Sequence, residues 1–180
     1  MRSLSIFLFF LICYSMQSPL LAQEEVFIKD YLERLENSQK YLLAVAELMP
    51  EAQYSFKAST TSLSFAEHLM HIGYAMDWHS QSLLGGRSPR NWDTDTRFKV
   101  ANRSKKELIR IIDETFEATI GLIKQFDTSQ LQDQLDYFGL QRTKRQIFML
   151  LADHITHHRG QMVVYLRLNG QVPPRYVLFQ

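Results

Sequence analysis

Cysteine is nearly missing from this chain, with one residue in 180, Cys13, lying in a segment unlike the rest. Beyond that segment there is no disulfide framework, no cysteine metal ligand and no thiolate nucleophile. No sign of charge dominates either: 20 Lys and Arg face 19 Asp and Glu. The basic footprint of a nucleic-acid binder is absent, so nucleic acid is not an expected partner. No internal repeat or low-complexity tract interrupts residues 23–180, and the most apolar run, Ile6-Phe-Leu-Phe-Phe-Leu-Ile-Cys13, is too short for a membrane span.

That run follows Arg2 and precedes a polar stretch and then Leu20-Leu21-Ala22. Charged start, apolar middle and a small residue at the cleavage point are the order of a secretory signal peptide. The single positive charge and the bulky Leu20 are features that an uncleaved anchor shares. The expectation is a leader over 1–22 cleaved after Ala22, and one domain over 23–180 that is periplasmic or secreted, with no stable membrane insertion after cleavage. Cys13 is not preceded by the small residues of a lipoprotein signal, so it leaves with the leader. Loss of Arg2 brings the remaining chain to formal neutrality.

Four stretches carry helical apolar periodicity. In the first, Phe27, Tyr31, Leu35, Leu42, Val45 and Leu48 recur at threes, fours and sevens until Pro50. A capping box, Ser64-Phe-Ala-Glu67, opens the second, which closes before Gly85-Gly86. A second box, Ser104-Lys-Lys-Glu107, opens the third, whose Leu108, Ile111, Ile112, Thr115, Phe116, Thr119 and Ile123 share a face that ends near Phe126. Thr143 with Gln146 starts the fourth, which runs to about Leu168 and stops at Asn169-Gly170. Residues 87–102 read as a surface loop. Residues 127–142 read as a loop or short strand, with Tyr137-Phe138-Gly139 placed to lean over a pocket. Pro173-Pro174 fixes an extended tail. The spacing predicts an all-α fold, an antiparallel four-helix bundle with any metal held between facing helices.

What the sequence does have is clustered histidine. All six histidines fall on two of these helices: His68, His71 and His79 on the second, and His154, His157 and His158 on the fourth. At i and i+4, His154 and His158 share a helical face with Cβ atoms roughly 6 Å apart, so both rings can reach one ion. A single histidine is more often a half-buried amphipathic residue, but six in two short windows point to a transition-metal site. The third ligand is open on spacing alone. At 100° per residue His68 and His79 share a stripe about 20° wide, with His71 about 60° away. His157 points about 100° from His158 and reads as a surface residue or a support for a ligand.

These residues resemble the DinB-like superfamily of four-helix proteins, described as metal-dependent hydrolases or metal-dependent thiol transferases. The similarity covers essentially all of 23–180. It is carried by Leu69-Met-His71-Ile on the second helix and His154-Ile-Thr-His157-His158-Arg159-Gly160-Gln161 on the fourth. The resemblance implies an up-down-down-up bundle, a frequent homodimer, and one divalent ion bound by His71, His154 and His158.

Three neutral imidazoles leave a coordination position open, the arrangement of catalytic rather than structural sites, and they suit Zn, Ni, Fe, Co or Mn. Candidate general bases are Glu67, His68, Asp77 and Asp153. His68 is preferred, because Glu67 is drawn into the capping box and Asp153 points elsewhere. Arg159 binds an anionic substrate or serves structure. Gly160 is expected to admit a neighbouring helix. Tyr74, Met76, Trp78 and Trp92 are candidate pocket walls. The expected activity is hydrolysis of an unknown small-molecule substrate. A noncatalytic metal- or ligand-binding bundle is one alternative, marked by a fourth protein ligand such as His68 or Glu67. A metal-dependent thiol S-transferase is the other, disfavoured by export away from cytoplasmic thiols. A ferritin-like di-iron bundle would need paired Glu-x-x-His motifs, and none occurs.

Overall fold

The computed structural model describes the backbone of residues 2–177 and 179, with side chains from residue 22 onward. The side chains of the expected leader other than Ala22, Cys13 among them, therefore lie outside the described residues. Helix α1 spans Arg2–Leu48, α2 Phe65–Asp77, α3 Lys105–Lys124 and α4 Lys144–Leu168. Strands β1 (Gln134–Tyr137) and β2 (Leu140–Thr143) form one antiparallel hairpin. Among the described residues no helix is long and apolar enough to cross a membrane.

Helices α2, α3 and α4 start as their sequences predict. Ser64, Ser104 and Thr143 each accept from the amide three residues on, while Glu67, Glu107 and Gln146 accept from the capping residue's own amide. Each box occupies two of the amides that a helix start leaves free, and such a cap stabilises by about 1 kcal/mol. The second helical stretch does reach Leu84, but residues Trp78–Leu84 form a π-helix. Its wider turns end the 100° count on which the position of His79 was read. At the far end of α4, Gly170 takes φ 73°, a left-handed stop that favours glycine.

Contacts between elements fix the direction of each helix. Along α1 and α4, Tyr31 stacks edge-on against Phe148 at 4.9 Å, Ser38 accepts from Arg159 at 2.6 Å, and Tyr41 reaches Pro174 at 3.3 Å. Positions rise together, so these two helices are parallel. Lys105, at the start of α3, donates to Met49 at the end of α1, and Tyr165, near the end of α4, donates to Leu63 just before α2. Helices α2 and α3 thus both begin where α1 and α4 finish. The topology is up-down-down-up, with α2 packed between α3 and α4 and α1 packed against the same two.

The crossover from Gly85 to Ser104 is more than a surface loop. Phe98 is only 3% exposed and sits against the groove at Gly73, where a Cβ would lie 2.8 Å from the Phe98 ring. Asp77 anchors the crossover's start by accepting from Arg87 and from Arg90 at 3.1 Å. The hairpin turn is made by Phe138 and Gly139, at φ 55° and 80°. Two left-handed residues in a two-residue loop match the right-handed twist of the strands they join.

Candidate metal centre

Capped at Ser64, α2 presents His68 and His71 one turn apart to α4, where His154 and His158 stand one turn apart in return. The His71 ring lies 5.0 Å from His154 and 4.5 Å from His158, centroid to centroid, and those two are 4.6 Å apart. One nitrogen from each of the three lies within 4.8 Å of the others. No other group of His, Cys, Asp or Glu among the described residues converges in this way. The choice that spacing left open between His68 and His71 is therefore answered by packing: His71 joins the pair.

His68 sits behind His158. Their Nδ1 atoms are 3.0 Å apart, so one must donate and the other accept. With the proton on His158 Nδ1, that ring is oriented by His68 and keeps Nε2 free, the usual arrangement around a ligating histidine. His79 is 2% exposed and stands apart, its Nδ1 2.7 Å from the Ala75 carbonyl and its Nε2 3.2 Å from the Tyr137 hydroxyl. The hairpin's aromatic patch thus leans on His79 and Trp78 rather than over an open pocket. His157 is exposed, with Nε2 2.9 Å from Gln161.

Burial holds these imidazoles neutral. Desolvation, followed by repulsion from neighbouring histidines, pushes His158 down to about 3 and His154 to about 4. Desolvation also lowers His68, His71 and His79. A neutral ring has a lone pair to offer a metal. His154 Nε2 is fully buried with no hydrogen-bond partner among the described residues. Such an atom costs roughly 1–3 kcal/mol unless something satisfies it. Three neutral imidazoles, one with an orphaned nitrogen, fit a divalent transition ion.

The other expected players separate. Glu67 is taken by its capping box, with the Ser64 amide at 2.6 Å, and by Lys57 at 3.2 Å; the Ser64 amide is the main reason its carboxyl stays below the usual range. Asp77 is committed to two guanidinium groups, so it is not a free base. Asp153 is exposed and points about 100° around α4 from His154. Arg159 is 2% exposed and binds Ser38 and Tyr176, which makes it a structural residue. Gly160 does not admit a helix, because a Cβ there would meet nothing within 4 Å; Gly73 is the glycine of close approach. Met76 is core, and Trp78 packs on the hairpin. Trp92 does line a cavity, with Tyr74 packed edge-on against it at 4.5 Å. That cavity, about 320 Å³, borders His71 and is walled largely by the crossover, including Phe98 and Lys99. Sequence reasoning missed both residues, and the signal it passed over was the mixed Phe98-Lys99-Val100-Ala101 stretch at the end of a loop whose earlier part is polar apart from Trp92.

Fold and site together define a four-helix bundle of up-down-down-up topology with a three-histidine cluster between α2 and α4. The chain belongs to the DinB family, whose model matches residues 16–179. It is similar to the protein YjoA of Bacillus subtilis strain 168, at 25% identity over 130 residues, covering 70% of this chain and 80% of YjoA. The crystal structure of YjoA superposes with a TM-score of 0.67 at 23% identity, over 83% of this chain and 99% of that one. A DinB-like protein from Bacillus cereus ATCC 10987 gives 0.66 at 21%, over 85% and 97%. YfiT from Bacillus subtilis, described as a probable metal-dependent hydrolase with an unusual four-helix bundle topology, gives 0.60 at 14%, over 83% and 89%.

Proposed function

We propose that this chain is an exported metal-dependent hydrolase that binds one divalent transition ion through His71, His154 and His158. The observation that carries this reading is the convergence of three imidazole nitrogens within 4.8 Å, one of the rings holding a buried unpaired Nε2. When bound, such an ion supplies Lewis acidity to polarise a scissile carbonyl. His71 and the His154/His158 pair hold it from two helices, and His68 orients His158. A closed, noncatalytic site would need a fourth protein donor. Glu67 is occupied by Ser64 and Lys57, and His68 meets His158 rather than the group of three, which supports an open position. The resemblance of the fold to YfiT supports hydrolysis, and the leader-like residues 1–22 support export. A thiol transfer reading has no comparable support outside the cytoplasm.

The test is metal content per chain on protein purified without a His tag, wild type beside His158→Ala. About one divalent ion per wild-type chain, lost in the variant, is expected. A folded, metal-resupplied wild type that holds none would sink the reading. Mass spectrometry of protein recovered outside the cytoplasm checks the leader, with an N-terminus at Gln23 expected.

A further inference from the structure

The cavity beside His71 carries a charge, that of Lys99, with no ion-pair partner among the described residues. Its walls are mostly apolar, from Leu63, Met70, Phe98 and Trp92, and at about 320 Å³ it falls at the small end of ligand pockets, which run about 300–1,000 Å³. Lys99 is half-buried in the wall, its Nζ 3.6 Å from the centroid of the Trp92 ring. That contact steadies an ammonium without cancelling its charge. No carboxylate among the described residues pairs with Lys99, and the acid that shares the cavity, Glu67, is already held by Lys57 and the Ser64 amide. An unpaired cation at the edge of an apolar, aromatic-lined space favours an anion that brings an apolar body with it.

We propose that this cavity is the substrate pocket and selects a small aromatic molecule bearing one carboxylate, which pairs with Lys99 while the reactive end faces His71. The assignment of the reactive end rests on the metal-dependent reading above; the pairing with Lys99 does not. The lining holds one ammonium and no guanidinium, and the two guanidiniums over the Phe98 ring, Arg90 and Arg97, are already paired with carboxylates. A single free cation matches a monoanion better than a phosphate, which is ordinarily cradled by several donors. Trp92, with Tyr74 behind it, and Phe98 supply flat surfaces for a ring.

The experiment is a ligand-observed NMR titration of the full chain with phenylacetate, phenylacetamide and 2-phenylethylammonium, run both metal-loaded and after chelation. Phenylacetate is expected to bind about tenfold tighter than the neutral amide, the scale of one charge-assisted hydrogen bond, with the ammonium weakest. The preference should persist without metal, disappear in Lys99→Met and survive in Lys99→Arg. Equal binding of acid and amide to wild type would overturn the proposal, as would a preference that outlives Lys99→Met. A preference that vanishes with the metal would also overturn it, since the carboxylate would then be a metal ligand. A protein that holds no ion yet keeps the Lys99-dependent preference would support the pocket and fault only the metal reading.

Discussion

His68 and His71 are one turn apart on the same helix, and what separates them is the partner each ring meets. His71 converges on His154 and His158, whereas His68 reaches only His158 Nδ1 at 3.0 Å. Supports of that kind typically account for 10–100-fold in metal affinity. His68→Ala should therefore weaken affinity by roughly that factor while still binding one ion at saturation, and His71→Ala should lose the site; competition with a chromophoric chelator reads both. A His68→Ala protein with unchanged affinity would leave His68 free for another role. The sign of the pH response follows from burial. With His154 and His158 lowered to about 4 and 3, the unfolded chain takes up protons below about 6.5 that the folded chain refuses. Metal-free protein should thus lose stability as pH falls from about 6.5 toward 4, while above 6.5 these rings contribute no pH dependence. For the same reason protons compete poorly for the folded site, and loaded protein should keep its ion through dialysis at pH 5, where ordinary histidines would be charged. Release near pH 6.5 would contradict the burial argument. The pair His154 and His158 was legible because i,i+4 spacing is a property of one helix. The third histidine of the cluster was not, because its place there depends on how α2 is rotated against α4.

At the scale of elements, two glycines that look alike in sequence behave oppositely. Both Gly73 and Gly160 lie inside helices, where alanine is favoured by about 1 kcal/mol. Gly160 is exposed with nothing within 4 Å of an added Cβ, so Gly160→Ala should stabilise by about 0.5–1 kcal/mol. At Gly73 the same methyl would lie 2.8 Å from Phe98 Cε1 and 3.2 Å from Ile112 Cδ1, in tightly packed surroundings. Overpacking of this kind costs about 1–3 kcal/mol, which exceeds the propensity gain, and displacing Phe98 would also disturb the cavity beside His71. Denaturant unfolding of the two variants should give shifts of opposite sign, and a shared sign would show that the crossover yields freely. The three capping boxes and the apolar faces of the helices were readable because each is written within a few residues. The π-helical turns at Trp78–Leu84 and the burial of Phe98 were not, because both depend on what packs against them from distant parts of the chain.

The whole molecule is closed at one corner by a buried cation. Arg159 ties three parts together: its guanidinium donates to Ser38 on α1 and to the Tyr176 hydroxyl in the tail, and it lies 5.2 and 5.4 Å from the rings of Tyr41 and Tyr176. Tyr41 in turn donates to Pro174 at 3.3 Å, so the tail after Gly170 is strapped across α1 and α4. The sequence showed a rigid extended tail from Pro173-Pro174 but not what it lies against. No carboxylate among the described residues accompanies Arg159, and burial lowers its pKa. A buried cation without a carboxylate carries a desolvation cost that an apolar side chain of similar volume avoids, while the cation–π and hydrogen-bond contacts that hold the tail are worth about 1 kcal/mol. Arg159→Met should therefore act in two places at once. Global unfolding should stay within about 1 kcal/mol of wild type, whereas trypsin cleavage after Arg175 should quicken about fivefold, as expected when a local opening becomes about 1 kcal/mol easier. Metal content should be unaffected, because Arg159 lies among α1 and tail residues rather than in the histidine group. A global loss of 3 kcal/mol or more would instead mean that the guanidinium satisfies buried groups the bundle cannot fold without.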